Sequence, residues 1–203
     1  SELDRYGYVA SLFSLPAMAV LFSAVPGQWK NIPAAVFLLI SIYFLFNIVS
    51  WWRDLDNGYK RLLEDFRWYD KREIFVLATA DNLNGIWMMR TYRDKPALHY
   101  ALELLQKKPL DIKFYEVAQY NMNSLNEGVT ATVPDTVSKV IRVEFDQWGN
   151  WWWKSGRGAD NYQTDLYKVV FKGKWYELSL KVDPKDAAFI YQSGDEWKEL
   201  NLK

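Results

Sequence analysis

Apolar residues are distributed along this chain in two ways. From Tyr6 to Trp29, and again from Asn31 to Trp52, they run with little interruption, and no Asp, Glu, Lys or Arg falls inside either stretch; Lys30 alone separates them. A helix rises 1.5 Å per residue, and about 20 apolar residues cross a hydrocarbon core, so each stretch predicts a membrane span. After Arg53 charged residues become frequent among short alternating apolar runs, the pattern of a domain that meets water. The expected fold class is a membrane protein with an N-terminal two-helix transmembrane hairpin and a soluble α+β domain whose sheet is mainly antiparallel. The expected segments are a hairpin over 1–53, a juxtamembrane amphipathic helix over 54–73 and the domain over 74–203.

Pro16 lies mid-way along the first stretch, where a missing backbone donor predicts a kink. A secretory signal peptide would need a basic segment before it, whereas Ser-Glu-Leu-Asp-Arg precedes it and a second span follows at once. The connection from Pro26 to Pro33 is too short for anything but antiparallel neighbours. Both chain ends then share one side of the membrane. The turn carries one cation, Lys30, whereas Arg53, Lys60, Arg61, Arg67, Lys71 and Arg72 follow the second span. The positive-inside rule therefore places the termini and the domain on the cytoplasmic, matrix or stromal side of a bacterial inner membrane or an organelle membrane. Tyr6, Tyr8, Trp51 and Trp52 fit the aromatic belt at that interface, with Trp29 at the other. Arg53, Lys60 and Arg61 are the candidate headgroup contacts beside them.

Leu55, Tyr59, Leu62 and Phe66 are spaced as one helical face, with charged residues elsewhere. The acids among those charges favour packing on the chain's own domain over a basic face dedicated to lipid. Asp56-Asn57-Gly58 predicts a break between this helix and the second span. Strands are expected at Ile74–Ala80, Gly85–Tyr92, Asp111–Ala118, Val129–Val133, Ser138–Asp146, Asp165–Phe171, Trp175–Val182, Ala188–Gln192 and Glu196–Asn201. Lys172-Gly173-Lys174 and Ser193-Gly194-Asp195 read as tight hairpins. One helix interrupts the strands, with Asp94 as N-cap, Pro96 in the first turn, and Leu98, Ala101, Leu102 and Leu105 as its apolar stripe. Asn121–Gly128 and Lys154–Gln163 are the polar loops where contacts concentrate.

Composition then narrows the chemistry. Lys and Arg total 25, as do Asp and Glu, so no basic excess points to nucleic acid. The absence of cysteine removes disulfides, thiol catalysis and thiolate-held metals, and His99 is the chain's one histidine, within the expected helix. No serine lies in a Gly-x-Ser-x-Gly turn and no acidic run has calcium-loop spacing. The sequence thus nominates no catalytic, cofactor-binding or metal residues. What stands out is Trp148-Gly149-Asn150-Trp151-Trp152-Trp153, with Arg157 in the loop beyond. Side chains alternate across a strand, so a run of three tryptophans presents aromatic rings to both faces. Trp148, Trp151, Trp152, Trp153 and Arg157 are the candidate contacts with a partner or the membrane.

The reading that joins these observations is a non-catalytic accessory or assembly subunit of a larger integral-membrane complex, bioenergetic complexes being the architectural analogy. Its partners would be other membrane subunits and the bilayer. The alternative is a standalone membrane-surface module that binds lipid or a small hydrophobic ligand.

Overall fold

The computed structural model describes residues 20, 23, 26, 27, 29, 31–84, 86–89, 96–135, 140–146, 151–153, 161–184 and 186–202. The chain divides into two compact units, Ser1–Asp54 and Leu55–Lys203. Among the described residues one helix, not two, is long and apolar enough to cross a membrane: α1, Asn31–Glu64. The stretch from Tyr6 to Trp29 lies mostly outside the described residues. Of it, Val20 and Ser23 are helical and Gly27 and Trp29 form a turn, with the Trp29 N–H donating to the Pro26 carbonyl at 2.8 Å.

α1 passes through Asp56-Asn57-Gly58 without the expected break and stops at Glu64 rather than continuing toward residue 73. A helical glycine costs about 1 kcal/mol relative to alanine. Against this, Leu55 and Leu62 are buried on the same side, and full burial of a leucine contributes about 2 kcal/mol. Packing therefore outweighs the local preference of Asn-Gly to turn.

The second unit contains two sheets. The first has the path β11-β10-β1-β3-β6, built from Glu196–Glu199, Ala187–Ser193, Glu73–Leu83, Lys113–Met122 and Trp151–Trp153. A two-residue strand β2, Ile86–Trp87, folds back on β1. The second sheet runs β4-β5-β9-β8-β7, from Val129–Asp135, Val140–Phe145, Trp175–Leu180, Tyr167–Phe171 and Tyr162–Gln163. Every pairing in the second sheet is antiparallel, as expected. The first sheet differs at its centre, where β1 lies parallel to both β10 and β3. Its outer pairings, β10–β11 and β3–β6, are antiparallel.

The parallel centre follows from coverage on both faces. Phe75, Leu77, Phe189 and Tyr191 enter a core shared with Ile141, Val143, Phe145, Val169, Tyr176 and Leu178 of the second sheet. Ile74, Val76, Ala188 and Ile190 enter another, closed by Leu62, Phe66, Trp68, Leu98, Leu102 and Trp197. Helices, first sheet and second sheet thus form three layers, and β1 runs apolar from Ile74 to Ala78 because neither face meets water there. β5 instead alternates buried Ile141, Val143 and Phe145 with half-exposed Arg142 and Glu144, the pattern of a sheet with one wet face.

The interrupting helix, α2, spans Ala97–Gln106 and connects the parallel pair β1 and β3. Pro96, extended at ψ 142°, is its N-cap and supplies no side-chain cap; Asp94, expected in that role, lies outside the described residues. Leu98, Ala101 and Leu102 are buried as expected, whereas Leu105 is exposed. Of the expected strand Gly85–Tyr92, Ile86 and Trp87 are strand, and Gly85 and Arg90–Tyr92 lie outside the described residues. Both hairpins form where expected, with positive φ at Gly173 and Gly194.

Candidate functional site

The last turns of α1 are seated in the second unit by contacts from three directions. Gly58 faces Met88, Leu125 and Asp195, so that a Cβ built there would sit 3.5 Å from Leu125 Cδ2 and from Asp195 Cβ. Leu62 has no exposed surface, and its carbonyl, one of those a helix end leaves without an intrahelical donor, accepts the Trp197 indole N–H at 2.8 Å. The Arg61 guanidinium donates to the Asp195 carboxylate in the β10–β11 turn. This ion pair is partly solvated, which limits its contribution to about 1 kcal/mol or less.

That turn is held from beneath. The Gly194 N–H donates to the Glu127 carbonyl at 3.1 Å, and the Gln192 amide donates to the Gly194 carbonyl at 2.8 Å. Gln192 also accepts the Ala80 N–H at 2.9 Å, while the Tyr120 hydroxyl donates to the Gln192 carbonyl at 3.0 Å. Gly194 is at φ 64°, and a Cβ there would collide with the Leu125 carbonyl oxygen, so glycine is required on two counts. Of the loop expected at Asn121–Gly128 for outside contacts, Asn121 and Met122 belong to β3 and residues 123–128 act as a brace: Glu127 accepts the Asn123 N–H at 2.9 Å, and Leu125 lies against Gly58. Nothing in the local sequence signalled this brace, because Leu125 and Glu127 meet partners, Gly58 and Gly194, that each lie about 70 residues away along the chain.

Other buried polar groups are satisfied within the first sheet. The Thr79 hydroxyl donates to Glu116 at 2.7 Å, and the Gln119 amide donates to the Met89 carbonyl at 3.1 Å. Burial pushes the phenols of Tyr120, Tyr167 and Tyr176 well above their ordinary range. Tyr176, fully enclosed, donates to the Leu77 carbonyl at 2.7 Å and ties the two sheets together. His99 stacks on Phe114 with ring centroids 5.1 Å apart, and its Nε2 lies 3.3 Å from Glu103 Oε1, a structural placement inside the helix layer. Among the described residues no three of His, Cys, Asp and Glu are grouped to hold a metal.

The residues nominated from sequence are distributed as follows. Trp29, Trp51, Trp52 and Arg53 are exposed. Lys60 pairs with Asp56 one turn earlier at 2.7 Å and Arg61 pairs with Asp195, so both cations already have intramolecular partners. Trp151–Trp153 form β6, an edge strand, in register with Tyr120, Gln119 and Ala118; the backbone alone is described there. Tyr6, Tyr8, Trp148 and Arg157 lie outside the described residues. A surface groove of about 680 Å³ is rimmed by Arg72, Glu73, Asp111, Lys113 and Asp183, which suits polar contacts better than a hydrophobic ligand. Comparison with protein-family models, curated proteins and solved structures finds no match to this chain.

Proposed function

We propose that this chain is a non-catalytic accessory or assembly subunit of a larger integral-membrane complex, anchored by two antiparallel membrane helices and docking through its soluble domain. The observation that carries the reading is α1. Its most apolar window is uncovered by the rest of the chain, yet from Leu55 onward the same helix is built into a folded core. Helical Val20 and Ser23 followed by the turn at Gly27 and Trp29 support a second membrane helix ahead of α1. The six cations after the second span against Lys30 in the turn favour a cytoplasmic, matrix or stromal domain. The edge position of the tryptophan strand β6 offers a surface for a neighbouring subunit.

Extraction of native membranes in a mild detergent, followed by native electrophoresis and mass spectrometry, tests the proposal. Co-migration with other membrane proteins in constant stoichiometry is the expected result. Migration as a free monomer under conditions that preserve known membrane complexes would overturn it and favour a standalone surface module.

A further inference from the structure

Among the described residues beyond Asp54, five large apolar side chains are exposed: Tyr69, Tyr100, Leu104, Leu105 and Val182. Single exposed apolar residues are ordinary, but three of these five fall within six residues on α2. Leu104 is 77 % exposed, while Leu98, Ala101 and Leu102 occupy the core on the opposite face. Lys107 and Lys108 come just after, both exposed, and with Pro109 they border a shallow groove of about 410 Å³ that Tyr100, Glu103 and Leu104 also line. The acid in this stretch, Glu103, is directed to the Leu110 N–H at 3.2 Å and toward His99. Lys107 also caps the helix at φ 52°, a left-handed conformation that glycine would adopt with less strain. A cation thus stands where backbone sterics favour glycine.

We propose that the outward face of α2 is a peripheral lipid-contact site, in which Tyr100, Leu104 and Leu105 enter the headgroup layer and Lys107 and Lys108 meet anionic phosphates. The proposal rests on the reading of α1 as a membrane span. An apolar tip collared by cations is the chemistry of an interfacial helix on an anionic bilayer. Three apolar side chains are too few to hold a free protein on a membrane. On a tethered chain the second contact is intramolecular and needs little affinity of its own.

The absence of cysteine allows one environment-sensitive fluorophore to be placed at will. The full chain carrying Leu104→Cys or Ile40→Cys, each labelled, is reconstituted into phosphatidylcholine vesicles with or without phosphatidylglycerol, and quenching by nitroxide lipids is read. The site predicts a blue shift at position 104, with roughly twofold or greater quenching by headgroup-labelled lipid in anionic vesicles. Lys107→Glu with Lys108→Glu should remove most of that quenching while leaving the melting temperature unchanged. Quenching at position 40 by acyl-labelled lipid with none at 104 overturns this site and leaves the span standing. No quenching at either position overturns both. Quenching at 104 that ignores charge reversal and anionic lipid overturns the phosphate assignment, and shielding of 104 in native membranes but not in vesicles would assign the face to a protein instead.

Discussion

Residues 31–54 and 55–64 belong to one helix, yet their leucines meet opposite surroundings. Leu39 is 67 % exposed and Leu62 is fully enclosed. In the first segment the large apolar side chains, among them Ile32, Phe37, Leu45, Phe46 and Trp52, are left uncovered by the chain. In the second, Leu55 and Leu62 are covered by strands and loops that lie far along the sequence. An apolar helix without cover needs a surrounding that is not water, whereas an amphipathic one needs only a fold. The chain's cover of α1 thus changes along a helix whose backbone conformation does not.

The same leucine-to-alanine change should have different consequences in the two segments. Leu62→Ala should destabilise the domain by about 2–5 kcal/mol, because it removes fully buried methyl groups and leaves a cavity. Leu39→Ala should leave the domain's unfolding midpoint unchanged. Chemical denaturation of the full chain in detergent micelles, followed by tryptophan fluorescence, checks both.

Alkaline titration separates the segments by another route. Tyr120, Tyr167 and Tyr176 are buried phenols whose folded-state pKa lies above the unfolded value. The stability they contribute is complete below about pH 10 and falls as pH rises from there toward their folded-state values, by about 1.4 kcal/mol per pH unit for each phenol. Thermal melts between neutral pH and about pH 11 should show the domain weakening above about pH 10. A flat melting temperature across that window would contradict the burial of these hydroxyls.

Two smaller effects probe how the helix end is seated. Trp197→Phe keeps most of the packing but leaves the Leu62 carbonyl without its donor, for a loss of about 1–2 kcal/mol by denaturant titration. Gly58→Ala should be neutral or stabilising by up to about 1 kcal/mol, since the added carbon meets ordinary contact distances and alanine prefers the helix. Gly58→Leu should destabilise, because Met88, Leu125 and Asp195 leave no room for it.

Much of this was legible in the sequence, and the remainder was hidden for identifiable reasons. The apolar stretch of α1, the stripe Leu98, Ala101 and Leu102, and the hairpins at Gly173 and Gly194 carry local periodic or turn signals that the fold obeys. Ile74–Ala80 reads as a strand and is one, but the sheet is expected to be mainly antiparallel and the parallel pairing of β1 with β3 and β10 was not foreseen, because pairing direction depends on segments far along the chain. Continuity through Gly58 was hidden because the residue looks like a breaker until its distant neighbours are known. Leu105 fits the inward periodicity of α2 but falls in its last turn, beyond the reach of the sheet. The brace around Gly194 was illegible because each of its members is ordinary in its own sequence context.

Single-cysteine labelling decides whether, as proposed, the uncovered part of α1 lies in a bilayer while the same helix from Leu55 onward is packed in the domain. A water-soluble maleimide is applied to intact membranes carrying one cysteine at each position from 36 to 62. The expected result is no labelling from 36 to 50, then a helical rhythm in which 56, 57, 60 and 61 react and 55, 58 and 62 do not. Labelling throughout 36–50, or uniform reactivity from 53 onward, would contradict it.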